Sequence, residues 1–328
     1  MPYDAKRFFE DFASGEVGFR ALLQSGSARR NYIGSTSQQK YIITQNTDIR
    51  ENEAFFYFTE LFASLGLNTP QIFKISEDRT LYIQQFLGVH TLSDIINEEQ
   101  ESESVRALVK KSLERLFLLQ TKTQGRVDYA RTFEYESYDR IPITHDLFYF
   151  KFMFADILEA HYHKSKLIKE FNRLAEKIEA LSPKGLMIRD FQARNIMVDE
   201  NDEVFFIDYQ SAMYGPLMYD VISFLYQVKA NFSDEFKREM IEYYLSFWQE
   251  EQSQLRDSVG LLSLIRSLQV LGAYGFRGLV QKKAHFINSI GRGLSNLYKI
   301  SEDWQGMKDF PELKSVINQI STKEIKLI

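Results

Sequence analysis

The sequence predicts an α+β fold, in which a small N-terminal lobe of antiparallel strands with one helix precedes a larger and mainly helical lobe. Three observations predict it. Short runs of β-branched and aromatic residues fill the region 1–88, and helical spacing of apolar residues dominates the region 89–328. One pair of apolar runs around a polar turn interrupts those helices. We therefore place the boundary between the two lobes at Gly88.

The small lobe is predicted to hold strands on both sides of a single long helix. The helix begins near Glu51 and stops at Gly66, because the apolar positions between them follow helical spacing and glycine ends the pattern. The strands are expected at 17–23, 31–35, 40–45, 71–75 and 80–86. This order requires the helix to pack against the sheet.

The larger lobe is predicted to be built from helices at 105–121, 145–161, 164–181, 217–229, 234–250 and 255–280. Two very apolar stretches within them could be mistaken for membrane spans. Charged residues interrupt both, so neither offers about 20 uncharged residues in a row. We expect buried core helices and no membrane partner.

Composition excludes several classes of protein. The 328 residues are 44% hydrophobic, which is enough for a substantial core. The 40 basic and 45 acidic residues leave a net charge of −5, so the chain has no general attraction for nucleic acid. The chain contains no Cys, which rules out disulfides and thiolate metal sites. The N-terminal residues lack the apolar run of a signal peptide, so a cytoplasmic location is expected.

Two apolar runs flank the polar segment 199–203, and the simplest structure for them is a β-hairpin. Pairing Val198 with Val204 sets its register. Asn195 then lies beside Asp208, since paired Cβ atoms in such a ladder are roughly 5 Å apart. One amide oxygen and one carboxylate can therefore share a cation.

Asp190 precedes the first strand of this hairpin by a short loop, which places a base near that cation. Each residue alone could be an ordinary turn former, and the joint pattern is what favours a functional reading. Asp190, Asn195 and Asp208 together resemble the catalytic loop and metal-binding segment of the protein-kinase-like phosphotransferases, although Ile188 replaces the family's His. The resemblance implies that Asp190 takes a proton from the acceptor hydroxyl. It also implies that Asn195 and Asp208 hold Mg²⁺ against the phosphates of ATP.

The same resemblance implies a phosphate-binding loop at the first hairpin of the small lobe. Ser25, Gly26 and Ser27 are small enough for backbone N–H groups to approach phosphate oxygens, and Arg29 and Arg30 follow them. An ordinary hairpin turn is the alternative reading.

In relatives, the third strand carries a Lys that contacts the phosphates and pairs with a Glu on the next helix. Thr44 stands where that Lys is expected. Arg29 or Arg30 is the candidate replacement, and Glu53 or Glu51 is its candidate partner. Acidic residues also favour helix N-termini without any ligand, which is the alternative for both.

The segment 82–88 occupies the place of the hinge whose backbone would hold the adenine edge, which makes Gln85 and Leu87 candidate nucleotide contacts. This assignment follows from the order of elements in the resembled fold. Backbone contacts leave no signature in the residue types.

The segments 189–195, 207–210 and 214–220 look most like the bacterial anomeric sugar kinases within the aminoglycoside phosphotransferase and choline kinase superfamily. That group acts on N-acetylmuramate and N-acetylglucosamine. The resemblance implies an ATP-dependent kinase that acts on a small molecule, with an amino sugar as the expected acceptor. Candidate acceptor contacts near the base are Arg189, Arg194, Tyr209 and Gln210.

Two alternatives stay open. An aminoglycoside or choline-type acceptor would use the same chemistry. A catalytically inactive nucleotide-binding module is favoured by Ile188 and Thr44, and it is opposed by the intact Asp190, Asn195 and Asp208. The acceptor pocket and the oligomeric state have no sequence signature.

Overall fold

The computed structural model describes residues 4–23 and 29–323. The chain divides into two compact units. The sheet unit comprises Met1–Glu136 and Ile188–Met213, and the helical unit comprises Ser137–Met187 and Tyr214–Ile328. The hairpin 196–206 therefore belongs to the same unit as the N-terminal sheet. The functional boundary placed at Gly88 stays a prediction.

The described residues form ten strands in three sheets of five, three and two strands. The strands are β1 (Gly18–Ala21), β2 (Arg30–Ser35), β3 (Lys40–Gln45), β4 (Ile72–Ile75), β5 (Leu81–Gln85), β6 (His90–Thr91), β7 (Lys184–Met187), β8 (Ile196–Val198), β9 (Val204–Phe206) and β10 (Met213–Pro216).

Helices make up most of the rest of the described chain. They are α1 (Ala5–Glu10), α2 (Ile49–Ser64), α3 (Leu92–Glu99), α4 (Glu103–Lys122), α5 (Arg140–Phe150), α6 (Lys164–Glu179), α7 (Met218–Leu225), α8 (Asp234–Leu245), α9 (Gln252–Tyr274), α10 (Ala284–Asp303) and α11 (Pro311–Ser321). Short π-helical segments, Lys151–Ala155 and Gly275–Val280, continue α5 and α9. The predicted α+β class, with an antiparallel sheet followed by a mostly helical region, is confirmed.

The five-stranded antiparallel sheet has the order β1-β2-β3-β5-β4. Its two faces carry alternate residues, because side chains along a strand point to opposite sides. One face packs Tyr41 and Ile43 against α1, which the sequence analysis did not predict. The other face presents Tyr82, whose ring contacts Phe55 and Phe56 of α2. The sheet is therefore covered by helices on both faces.

The predicted hairpin is confirmed with its register, since Val198 pairs with Val204 and the ladder continues to Ile196 and Phe206. The turn is closed by Asp199, whose Oδ1 accepts from the backbone N–H of Glu203 at 2.8 Å. Glu203 is also held by two cations of α4, Lys111 and Arg115. β6 adds a third strand to this hairpin.

The helical unit is organised around α9, against which α5, α7 and α10 pack. The segment Gln252–Val280 is, within the described residues, long and apolar enough to cross a membrane by length and composition. However, 56% of its most apolar window is buried inside the structure, as expected for a core helix. α10 and α11 lie beyond the last helix that the sequence analysis predicted.

Several helices in this unit end earlier than the sequence predicts. The predicted helix 145–161 begins earlier, at Arg140, and changes to a π-helical segment at Lys151. The chain then leaves helical geometry, and Glu159 has a φ of 52°. Residues 156–163 are all partly or fully exposed, and the apolar spacing among them gives no signal for where the helix ends.

Candidate active site

The hairpin fixes Asn195 and places Asp208 immediately after the partner strand. The backbone N–H of Ile207 donates to the carbonyl of Asn195 at 3.0 Å, which extends the ladder beyond its last paired residues. Asp208 itself has a φ of 63°. The left-handed region is unusual for a residue other than glycine, although Asp enters it more readily than most. The backbone therefore turns sharply at the carboxylate that is predicted to bind metal.

The loop before β8 joins the predicted base to the same hairpin. The side-chain amide of Asn195 donates from Nδ2 to the backbone carbonyl of Asp190 at 2.9 Å, and the N–H of Asp190 donates to the carbonyl of Ile188 at 2.9 Å. Arg189, between them, has a φ of 69°. Ile188 is buried, as an apolar residue in the place of the family's His requires. Hydrogen bonds thus hold Asp190 and Asn195 in one short loop and offset the cost of the left-handed backbone at Arg189.

Asn195 and Asp208 have the chemistry of magnesium ligands. Because Nδ2 of Asn195 is engaged with the backbone, its Oδ1 is the atom left to act as a ligand. Among the residues that the structure describes, no group of three His, Cys, Asp or Glu side chains could hold a metal ion. A site with two protein oxygens fits Mg²⁺, which is commonly held by few side chains together with phosphates and water.

Asp208 lies in a network of charged and polar side chains. Arg29 forms an ion pair with its Oδ1, and Gln210 donates to the same oxygen at 3.0 Å. Burial alone would raise the pKa of the Asp208 carboxyl, but the positive charge of Arg29 and the bond from Gln210 bring that pKa below its usual range. Arg194 lowers it further. Asp208 is therefore ionised at neutral pH.

Glu51 at the start of α2 belongs to the same network. Nη2 of Arg29 lies 3.4 Å from its Oε1, and Nε2 of Gln210 lies 3.3 Å from that oxygen. Arg29 and Gln210 thus each bridge Glu51 and Asp208. Asn46 donates to the second oxygen of Glu51 at 2.6 Å. Two carboxylates from distant parts of the sheet unit are therefore held together by one guanidinium and one amide.

Thr44 is buried and lies at the edge of this network. Its hydroxyl donates to Oδ1 of Asn31 at 2.8 Å and accepts from Nε2 of Gln84 at 3.2 Å. Tyr82 also interacts with Thr44, and burial raises the pKa of Tyr82 to about 12 despite the nearby Arg29. Neutral groups therefore fill the position where relatives carry a strand Lys.

The structure gives the two glutamates of α2 different partners. Glu53, which the sequence analysis placed in the nucleotide site, forms an ion pair with Arg79, with 2.7 Å between Oε2 and Nη2. That hydrogen bond lowers the pKa of Glu53. Glu51 is the residue beside Arg29, and it lies in the first turn of α2, which Asp48 caps.

The described part of the structure shows no contact that would assign a role to the other predicted nucleotide-binding residues. Ser25, Gly26 and Ser27 lie outside the described residues. Arg30 is exposed on β2. Gln85 is engaged with the neighbouring strand, since its N–H donates to the carbonyl of Gln71 at 2.8 Å and its Oε1 accepts from the N–H of Gln71 at 3.3 Å. Leu87 is buried. Roles for these residues stay predictions.

Tyr209 was predicted to contact the acceptor, and the structure places it in the core instead. Its side chain is fully buried, its ring stacks on Phe55 with centroids 5.0 Å apart, and its hydroxyl lies 2.7 Å from that of Thr59. An aromatic residue next to a carboxylate can face solvent or the core, and here the apolar surface of α2 buries the ring. Tyr209 therefore anchors the Asp208 segment on α2.

The other three acceptor candidates separate into two groups. Gln210 is buried and its Nε2 contacts both carboxylates described above, which favours a positioning role, and its role in acceptor binding stays a prediction. Arg189 is buried too, with Nη1 3.5 Å from Glu134. Arg194 is exposed on the turn that precedes Asn195. The side chain of Arg194 is therefore accessible to an acceptor molecule in solution.

We expect Tyr209→Phe to separate the packing role of this residue from any role in acceptor binding. The ring stack would persist and the hydrogen bond to Thr59 would be lost, which should lower the free energy of unfolding by about 1 kcal/mol. The acceptor KM should not change. Urea unfolding and steady-state kinetics measure the two quantities, and a raised KM at unchanged stability would restore Tyr209 to the acceptor site.

Sequence reasoning missed the bridging role of Gln210 and left Glu51 and Glu53 as alternatives. A signal for Glu51 existed, since Asp48 followed by acidic residues marks a helix start and fixes which residue occupies the first turn. No local signal existed for Gln210, because its two partners are contributed by α2 and by its own segment.

The site combines a carboxylate on a loop with an amide and a second carboxylate at the open end of one hairpin, and the long helix α2 covers one face of the neighbouring sheet. These features define a protein-kinase-like phosphotransferase. A family model described as the phosphotransferase enzyme family matches residues 20–257. The chain belongs to this family, and it is a phosphotransferase enzyme that acts on small molecules.

Two curated relatives are similar in sequence. An N-acetylmuramate/N-acetylglucosamine kinase of Pseudomonas putida is 25% identical over 289 residues, which cover 81% of this chain and 79% of the relative. A protein of the same name from Neisseria meningitidis serogroup B is 22% identical over 193 residues, which cover 57% of this chain and 54% of the relative.

Solved structures share the fold at low identity. The choline kinase LicA from Streptococcus pneumoniae gives a TM-score of 0.61 at 12% identity, covering 90% of this chain and 97% of that one. A thermostable mutant of the aminoglycoside phosphotransferase APH(4)-Ia, in a ternary complex with ADP and hygromycin B, gives 0.59 at 18% identity, covering 89% and 97%.

Proposed function

We propose that this phosphotransferase is an ATP-dependent kinase that phosphorylates the anomeric hydroxyl of an amino sugar of the N-acetylmuramate or N-acetylglucosamine type. The observation that carries the kinase activity is the joint placement of Asp190, Asn195 and Asp208 by one loop and one hairpin. The sugar acceptor is supported by the relative from Pseudomonas putida, which matches along most of this chain. We propose a cytoplasmic location, where ATP is supplied.

The proposed chemistry assigns one proton transfer to the protein. The Asp190 carboxylate accepts the proton of the acceptor hydroxyl while the hydroxyl oxygen bonds to the γ-phosphorus of ATP and the bond from that phosphorus to the ADP oxygen breaks. The backbone carbonyl of Asp190 is tied to Asn195, so the base is held in a fixed position relative to the amide. Such positioning is a large part of catalysis in phosphoryl transfer.

Asn195 and Asp208 would hold Mg²⁺, which neutralises charge that develops on the phosphoryl oxygens. Gln210 and Arg29 orient the Asp208 carboxylate through its Oδ1. Among the described residues, no side chain donates a hydrogen bond to Oδ2 of Asp208, which leaves that oxygen for a cation.

The inactive nucleotide-binding module has specific observations in its favour. Thr44 is buried among neutral groups, and Arg29 already pairs with the proposed metal ligand Asp208. An enzyme without a usable metal site would show the same pairing. The intact Asp190 and its bonded loop favour the kinase, because an inactive module does not require a positioned base.

The test is ATP turnover with Mg²⁺ and a panel of N-acetylmuramate, N-acetylglucosamine, hygromycin B and choline. We expect ADP release with the amino sugars and little with the other two acceptors. The methyl glycoside of N-acetylglucosamine is the matched control, because its anomeric oxygen carries no proton to transfer. Equal turnover of the glycoside would move the reaction to another hydroxyl, and nucleotide binding without turnover of any acceptor would favour the inactive module.

A further inference from the structure

We propose that Arg29 is the phosphate-binding cation of this chain, relocated from the third strand to the residue that follows the first hairpin loop, with Glu51 as its partner. This inference rests on the proposed use of ATP and deepens it. It assigns one of the two arginines that the sequence left as alternatives, and it gives that arginine a defined partner.

The first support is the face of the sheet on which Arg29 lies. Asn31 pairs with Thr44 across β2 and β3, and their side chains are hydrogen-bonded at 2.8 Å, so both lie on one face. Arg29 precedes Asn31 by two residues and therefore belongs to that face as well. Tyr82, opposite Thr44 on β5, shares it. Arg29 thus brings a cation to the face where relatives place the strand Lys.

The second support is the pair of carboxylates that Arg29 contacts. Its Nη2 lies 3.4 Å from Glu51 on the helix and forms an ion pair with Asp208 on the metal-binding segment. These are the two elements that a phosphate-binding cation must join, since one supplies its acidic partner and the other supplies the metal ligand. Glu51 and Asp208 are partly buried, with 18% and 30% of their side chains exposed.

The third support is the donor that remains on Arg29. Both carboxylate contacts use Nη2, while Nε is buried without a hydrogen-bond partner among the residues that the structure describes. A buried donor without a partner is costly, and a guanidinium can serve several acceptors at once. A nucleotide phosphate oxygen would satisfy that donor while Glu51 and Asp208 keep their contacts.

Arg30 does not offer the same arrangement. It lies on β2 opposite Gln45 with an exposed side chain, and its neighbour in sequence takes the inward face. Adjacent strand residues point to opposite faces. Only one of the two can therefore join Glu51 to Asp208, and that residue is Arg29.

The experiment measures nucleotide binding by isothermal titration calorimetry in EDTA, with adenosine and with ADP, for wild type and three variants. Arg29→Gln keeps much of the length and removes the charge, Arg29→Lys keeps the charge, and Arg50→Ala removes an exposed cation of α2 as a control. We expect Arg29→Gln to weaken ADP about tenfold to a hundredfold while adenosine binding stays within twofold. Arg29→Lys keeps the charge but loses the buried Nε donor, so it should weaken ADP by about threefold to tenfold, and Arg50→Ala should match wild type.

The two ligands separate a phosphate contact from a structural role. Equal weakening of adenosine and ADP by Arg29→Gln would make Arg29 a structural bridge only and would overturn the proposal. Unchanged ADP affinity in Arg29→Gln would overturn it as well. If Arg29→Gln does not fold, loss of ADP affinity relative to adenosine in Arg29→Lys supports the proposal and wild-type affinity for both ligands in Arg29→Lys overturns it. Wild type that binds neither ligand would instead refute the proposed use of ATP.

Discussion

Asp190→Asn is expected to lower kcat for amino-sugar phosphorylation by about a hundredfold to ten-thousandfold, which is the range that a positioned general base contributes. The asparagine side chain has nearly the same shape but cannot accept the proton from the acceptor hydroxyl. The bond from Asn195 to residue 190 uses the backbone carbonyl, so it survives the substitution. The loss should therefore appear in turnover and not in folding.

Asp202→Asn is the matched control for this prediction. Asp202 lies in the exposed turn between β8 and β9 with a φ of 57°, a conformation that Asn accepts readily. Coupled measurement of ADP release should show wild-type turnover in Asp202→Asn. Calorimetry should show unchanged ADP affinity in Asp190→Asn. Turnover of Asp190→Asn within threefold of wild type would remove Asp190 from the reaction.

Local patterns in the sequence were sufficient for the hairpin that carries the site. Its register follows from two apolar runs and one polar turn, and both strands are consecutive in the chain. The five strands of the sheet were also located, because each is short, rich in β-branched or aromatic residues and bounded by turn residues. These features depend on neighbours in sequence.

Two features that the sequence did not reveal, the burial of Tyr209 and the helix α1, depend on contacts between distant segments. Tyr209 is buried because Thr59 and Phe55 on α2 surround it, and these residues are far away in sequence. α1 was missed because Phe8 and Phe9 are buried only where the sheet covers them. A short helix with two adjacent aromatic residues gives little periodicity of its own. Tertiary packing therefore decided each of these cases.

Arg29 affects both the ionisation of the Asp208 carboxyl and its ability to bind a metal ion. The cation Arg29 keeps the carboxylate ionised, and the same pairing competes with a metal for the charge of that carboxylate. Only Oδ1 is engaged in the pair and in the bond from Gln210. One carboxylate can in this way be oriented by protein donors through one oxygen and offer the other to a cation.

Asp208→Asn is expected to abolish the stimulation of turnover by Mg²⁺ and to lower kcat at saturating Mg²⁺ by at least about a hundredfold, the scale of one lost electrostatic group in an active site. The amide keeps the shape of the side chain and can still accept from Gln210, but it loses the charge that attracts the metal. Initial rates measured against Mg²⁺ concentration test this directly.

Asp48→Asn is the control, because Asp48 caps α2 in the same unit and Asn caps helices as well as Asp does. It should respond to Mg²⁺ as wild type does. Because Arg29 would retain Glu51, we expect metal-free ADP binding to persist in Asp208→Asn. A loss of metal response without a loss of ADP affinity would place the defect at the metal and not at the phosphates. An Asp208→Asn enzyme that saturates with Mg²⁺ at the wild-type concentration would show that Asp208 is not a metal ligand.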